Sequence, residues 1–135
     1  MKQNSALLLL AIVLAVFIAA GRLAAETTPL ARITMISAGE GGFALALRND
    51  GTILSWGANA AGMLGNGTTD PNLLPSAVSG LGGNSDVVAV AASTVFALAL
   101  KADGAVVGWG ANALGQLGDG TFTNRLDFGR QPLAV

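Results

Sequence analysis

Apolar and small side chains alternate strictly in two short stretches of the chain, FALAL at Phe43–Leu47 and FALAL at Phe96–Leu100. In the first, Phe43, Leu45 and Leu47 fall on one face and Ala44 and Ala46 on the other, the period of two that a strand requires. Helix is the competing reading for a run so rich in Ala and Leu. The punctuation decides against it: Asp50-Gly51 and Asp103-Gly104 each stand between two short apolar runs, the strongest local signal for a hairpin. After each turn come Ile53, Leu54 and Trp56, or Val106, Val107 and Trp109, rich in the β-branched and aromatic types that strands favour.

Beyond each tryptophan the chain turns on glycine, at Gly57, Gly62, Gly65 and Gly67 and then at Gly110, Gly115, Gly118 and Gly120. Such density suits a backbone that needs positive φ or close approach to another segment. Asn59 and Asn112, between glycines, are expected to hydrogen-bond nearby backbone and hold the turn. The stretch from Pro71 to Asp86 carries the weakest pattern. It reads as a connecting loop with a short outer strand around Ala77 and Val78.

These parallels are one internal repeat. Phe43–Thr68 aligns without gaps on Phe96–Thr121, displaced by the 53 residues that separate Trp56 from Trp109, with 17 of 26 positions identical. The likeness extends outward, ITMISAGEGG before the first core and VVAVAASTV before the second, with one extra residue in the first copy. PSAV at Pro75–Val78 and PLAV at Pro132–Val135 close the two copies, and PLA at Pro29–Ala31 looks like the closing piece of an earlier one. The units span about 33–81 and 87–135.

Four short strands in roughly fifty residues is the size of one propeller blade. The runs LALRNDGTILSWGANAAGMLGNGT and LALKADGAVVGWGANALGQLGDGTFTNR resemble the repeat of the regulator of chromosome condensation (RCC1) family: LAL, then DG, then WG, N, GQLG and G. The resemblance implies an all-β fold of two propeller blades. It marks Asp50, Gly51, Trp56, Gly57, Asn59, Gly62 and Gly65, with Asp103, Gly104, Trp109, Gly110, Asn112, Gly115 and Gly118, as structural repeat positions. Two departures stand out. Phe43-Ala44 and Phe96-Ala97 replace the family's His-Ser pair, and Met63 replaces the glutamine kept as Gln116.

Members of that family close a ring of about seven units, whereas two units leave hydrophobic faces open; stacked repeats generally need about three. Self-association to complete the propeller, pairing with another repeat protein, and a fragment of a longer gene all follow from this. The closing pieces at both ends suit either self-assembly through strand addition or truncation.

Upstream of the repeats, Lys2 precedes an unbroken apolar run, Ala6–Ala20, followed by Arg22 and by Ala24 and Ala25. That order is the order of a secretory signal. Fifteen helical residues span about 22 Å, short of the roughly 30 Å hydrocarbon core. Residues 1–25 are therefore expected to form a signal helix, with cleavage after Ala25 or Ala20. An uncleaved anchor is the alternative, and it would be the chain's only tie to a membrane. The mature part is expected to be secreted, periplasmic or at the cell surface.

Composition narrows the function further. The chain is 52 % hydrophobic and 11 % charged, with no Cys and no His, so it has no disulfide framework, thiolate nucleophile or imidazole base. Without Lys2 and Arg22, five basic side chains face eight acidic ones. Arg32, Arg48, Lys101, Arg125 and Arg130 are scattered singly, which argues against nucleic acid as a partner.

Candidate chemistry is thin. Asp50 and Asp103 could pair as acids of a glycosidase, but an Asp before Gly in a hairpin is explained by turn chemistry. Asp119 lacks the further oxygen ligands of a calcium loop, and its counterpart is Asn66. The glycine run lacks the Lys-Ser/Thr of a P-loop. Trp56 and Trp109 fit core wedges between strands better than a sugar-binding platform. No catalytic, cofactor or metal site is assigned. The reading is an exported binding or scaffold module that contacts an unidentified protein through its loops, or a structural subunit of a ring or array. Related proteins include GTPase exchange factors that bind chromatin and secreted inhibitors of β-lactamases, and the resemblance implies no more than a fold in common with either.

Overall fold

The computed structural model describes residue 30, residues 32–81, residue 83 and residues 85–128. The leader at 1–25 and the terminal pieces PLA and PLAV fall wholly or mostly outside the described residues. Among the described residues seven strands form: β1 (Ile33–Gly39), β2 (Phe43–Arg48), β3 (Ile53–Gly57), β4 (Asn72–Ala77), β5 (Val87–Ala92), β6 (Phe96–Lys101) and β7 (Val106–Gly110). They make two antiparallel meanders, β1-β2-β3-β4 and β5-β6-β7. No helix among the described residues is long and apolar enough to cross a membrane.

Hairpin chemistry sets the register, and it does so identically in both units. Gly51 and Gly104 take φ of 82° and 88°, a conformation in which an L side chain is strained. Before them the Asp50 carboxylate accepts from the Thr52 N–H at 2.9 Å and the Asp103 carboxylate from the Ala105 N–H at 2.9 Å. Phe43 consequently pairs with Gly57 and Phe96 with Gly110, so both tryptophans lie beside an alanine of the neighbouring strand, Ala44 or Ala97. Arg32 and Asp86, just ahead of β1 and β5, share a left-handed φ (60° and 57°). Their carbonyls accept the N–H groups of Asn49 and Ala102 in the same hairpins.

The extra residue of the first copy sits in the β1–β2 turn. Ala38 pairs with Ala44 as Ala92 pairs with Ala97, yet four residues separate Ala38 from Phe43 and three separate Ala92 from Phe96.

The outer strand differs from expectation. It occupies Asn72–Ala77, inside the stretch read as a loop, and Val78 follows it as a buried anchor. Pairing with β3 creates it, through Leu54 with Ala77 and Ser55 with Ser76. As an edge strand it tolerates Pro75, which has no N–H to give. In the second unit the equivalent of Asn72 is Arg125, which forms an isolated bridge, exchanging two backbone hydrogen bonds with Gly110 (2.7 and 2.9 Å).

The core lies between the two sheets. The Phe43, Leu45, Leu47 and Ile53 face of the first packs on Val90, Ala97, Ala99, Val107 and Trp109 of the second, all buried. Alanines on β6 bring the sheets close enough for these large side chains to interdigitate, and dispersion contacts add to the burial. Phe43, standing where the resemblance implies a His, is one of these core residues.

Candidate functional site

The glycine-rich loops after each tryptophan are where the fold builds with polar side chains. Asn59 and Asn112 are buried, and each holds its loop through two equivalent bonds, to Leu64 or Leu117 and to Thr68 or Thr121, and a third that differs. The Asn59 Oδ1 accepts from the Leu64 N–H at 2.8 Å, while its amide donates to the carbonyls of Thr68 and Asp70, both at 2.9 Å. The Asn112 Oδ1 accepts from the Leu117 N–H at 2.9 Å, and its amide donates to the Thr121 carbonyl and the Asp119 carboxylate, both at 3.0 Å. A buried amide with every group engaged fixes a loop more firmly than its glycines would suggest. Gly62, Gly65, Gly115 and Gly118 lie inside these turns at positive φ, and Gly57 and Gly110 end the strands before them, also at positive φ.

Met63 and Gln116, the position where the copies diverge, perform one task. The Met63 Sδ lies 3.3 Å from the Ala61 N–H, and the Gln116 Oε1 accepts from the Leu114 N–H at 2.9 Å. The thioether is the weaker acceptor of the two.

Trp109 joins the units. Its indole Nε1–H donates to the Met63 carbonyl at 2.8 Å, and its ring lies against Gly65. Trp56, its repeat counterpart, is only half-buried, so the wedge role expected of both tryptophans is complete in one.

Asp119 and Arg125 form an ion pair that sequence reasoning missed. The guanidinium Nε and Nη2 both lie 2.7 Å from Asp119 Oδ2, and the acid side chain is almost wholly buried. The Thr121 hydroxyl, donating at 2.8 Å, and then Arg125 hold the Asp119 carboxyl well below the usual carboxylate range, against an opposing cost of burial. A signal was present: the first copy has Asn66 and Asn72 at the two equivalent positions, so both residues changed together. A depressed carboxylate pKa contributes stability that is present above the ordinary carboxylate value and is lost as pH falls toward the folded value. Unfolding midpoints in urea are therefore expected to drop below about pH 4. In Asp119→Asn, which puts the first copy's residue into the second loop, that acid-side drop should shrink. An unchanged slope would show that the pair is not the source.

Asp50 and Asp103 end the two hairpins as separate turn residues, each bonded to the backbone two residues on. The Thr52 N–H holds the Asp50 carboxyl below its ordinary value. The loops instead present apolar side chains: Leu114 is 87 % exposed and Phe122, whose ring lies over Gly115, is 75 % exposed.

Comparison with known proteins agrees with this geometry. The description "Regulator of chromosome condensation (RCC1) repeat" matches residues 50–100, and a second form of it matches residues 87–116. The human E3 ubiquitin-protein ligase HERC2 is 39 % identical over 58 % of this chain and 2 % of its own length. The ultraviolet-B receptor UVR8 of Arabidopsis thaliana is 37 % identical over 70 % of this chain and 21 % of its own. Among solved structures, human WBSCR16 superposes with a TM-score of 0.63 at 28 % identity, covering 73 % of this chain and 25 % of that one. Prp20p of Saccharomyces cerevisiae gives 0.64 at 20 % identity, covering 76 % and 26 %. The chain thus spans about a quarter or less of each of these proteins. The two family matches overlap and together cover residues 50–116, from the first hairpin turn into the second glycine-rich loop, and the same strand and loop geometry recurs in each unit: this stretch of the chain is built of RCC1 repeats.

Proposed function

We propose that the chain is an exported, non-enzymatic protein-binding module whose contacts are made by the glycine-rich loops. The observation that carries this reading is the exposure of Leu114 and Phe122 on a loop whose backbone is pinned by buried Asn112. Large apolar side chains held rigidly in solvent lose little entropy on binding and suit a protein partner with an apolar patch. The relatives give support in kind: yeast RCC1 is described bound to Kap60, and Prp20p as binding Gsp1p and histones. The ligase activity in the name HERC2 belongs to a protein of which this chain spans 2 %, and is not carried over.

Export rests on the order Lys2, apolar run, small residues. A photoreactive amino acid at Leu114, introduced in the cell that makes the protein, is expected to yield a defined protein adduct. Leu114→Asp with Phe122→Ser should reduce its capture at a distant reporter position at least tenfold. Absence of any adduct would sink the loop reading. Intact mass after fractionation tests export separately: a chain outside the cytoplasm that begins after Ala20 or Ala25 supports it, and a full-length cytoplasmic chain overturns it.

A further inference from the structure

Several residues that are equivalent in the two units differ in exposure, and the differences fall into two sets. On the outward side of the first sheet, Ile36 is 74 % exposed where its counterpart Val90 is 3 % exposed. Trp56 is half-buried where Trp109 is fully buried. At the outer edge Leu73 is 89 % exposed where Leu126, lying against Gly62 of the first unit, is 36 % exposed. On the outward side of the second sheet the difference has the opposite sense. Leu100 is 39 % exposed where Leu47 is 2 % exposed, and Phe96, Leu98 and Val106 are half-buried where Phe43, Leu45 and Ile53 are buried.

Each set is one half of the interface already present inside the chain. The first sheet's outward face has the side chains with which the second sheet packs on the first: Ala44, Ala46, Leu54 and Trp56 for Ala97, Ala99, Val107 and Trp109. Ala46 and Leu54, at the middle of that face, are buried in the single chain; its rim of Ile36, Ala38, Ala44 and Trp56 is not. The second sheet's outward face repeats the side chains that receive them, with Gln116 and Gly118 where Met63 and Gly65 receive Trp109.

We propose that a second copy of this chain docks head to tail on the first, the outward face of its first sheet seated on the outward face of the neighbour's second sheet. Trp56 then gives its indole N–H to the neighbour's Gln116 carbonyl, as Trp109 gives its own to Met63. Leu73 covers the neighbour's Gly115, as Leu126 covers Gly62. The contact is heterologous, so it generates a ring where the rotation closes. Propellers typically run from about four to eight blades, which two, three or four copies would supply. Leu114 and Phe122 flank Gly115 and so lie at the rim of this docking surface; the two readings are told apart by a variant that abolishes docking of a second copy without touching either side chain.

Thiol cross-linking tests it cleanly because the chain has no cysteine. Inside the chain the Ala92 N–H donates to Ser37 Oγ at 2.9 Å. In the strand registers Ala91 is the counterpart of Ser37, and Ala38 that of Ala92, and both are exposed. Ala91 of one copy therefore meets Ala38 of the next. Full-length Ala38→Cys and Ala91→Cys chains, mixed with a short bifunctional thiol reagent, should give the mixed dimer at least tenfold above either variant alone. Light scattering of the unmodified chain should give a discrete multiple of two to four copies, reduced to one copy by Leu98→Glu with Leu100→Glu. Near-ultraviolet circular dichroism of that variant should retain the signal of buried Trp109, which separates loss of docking from loss of fold. A single-copy mass for the unmodified chain, or cross-links of each variant with itself and not with the other, overturns the proposal. Partner capture at Leu114 should persist in the Leu98→Glu, Leu100→Glu variant.

Discussion

Trp109→Ala is expected to lower the free energy of unfolding by about 3–5 kcal/mol, as truncation of a buried aromatic side chain does. A domain of this size has about 5–15 kcal/mol in all, so the variant should unfold at far lower urea or be unfolded in buffer. Two losses combine. The indole fills the space between the sheets with no exposed surface, and its N–H satisfies the buried Met63 carbonyl. Removing it leaves a cavity and an acceptor without its donor. Trp56→Ala removes the same side chain from the equivalent strand position, but from a half-buried site. It should cost about 1–2 kcal/mol, in proportion to the smaller apolar area returned to water. Urea titrations followed by far-ultraviolet circular dichroism compare the two in the single-copy Leu98→Glu, Leu100→Glu background, where Trp56 has no neighbour to enter, and equal losses there would refute the idea that Trp109 carries the joint between the units.

That contrast marks the limit of what the repeat says by itself. Identical residues at 56 and 109 predict identical roles, and the period-two pattern places both on apolar strands. Their different burial is decided by the neighbour on each side, which no local pattern encodes. The same holds for Phe43 against Phe96 and Ile53 against Val106. Strand positions were readable because Asp-Gly at 50–51 and 103–104 fixes turn and register together. The outer strand was hidden because Asn72–Ala77 contains a proline and no alternation; its conformation comes from pairing with β3.

In the loops, glycine density was visible in the sequence, but the partners of Asn59 and Asn112 lie up to eleven residues away and depend on how the chain folds back. The Asp119–Arg125 pair was written in the divergence of the copies, Asn66 and Asn72 in one and Asp and Arg in the other. Reading the differences as pairs, and not only the identities as a motif, would have located it.

Gly65→Ala should be the second most damaging of these substitutions, and its comparison with Gly67→Ala separates two reasons for keeping a glycine. Both positions take positive φ, 61° and 83°, where an L side chain costs about 1–2 kcal/mol. At Gly67 nothing lies within 4 Å of an added Cβ, so conformational strain is the whole expected loss. At Gly65 the added carbon would stand 2.8 Å from Trp109 Cδ1 and 2.9 Å from both Trp109 Nε1 and Val78 Cγ1. Trp109 cannot yield without stretching its bond to Met63, and Val78 is buried and bonded through its N–H to Ile53. Overpacking of that kind adds about 1–3 kcal/mol. Gly65→Ala is thus expected to cost about 2–5 kcal/mol in all. Placing Gly65→Ala on the Trp109→Ala background sharpens the test: the truncated ring leaves room for the methyl, so the two losses should fall well short of additive. Full additivity would mean that Gly65 is kept for its backbone angle alone, and that the close approach of loop and indole contributes nothing to the joint.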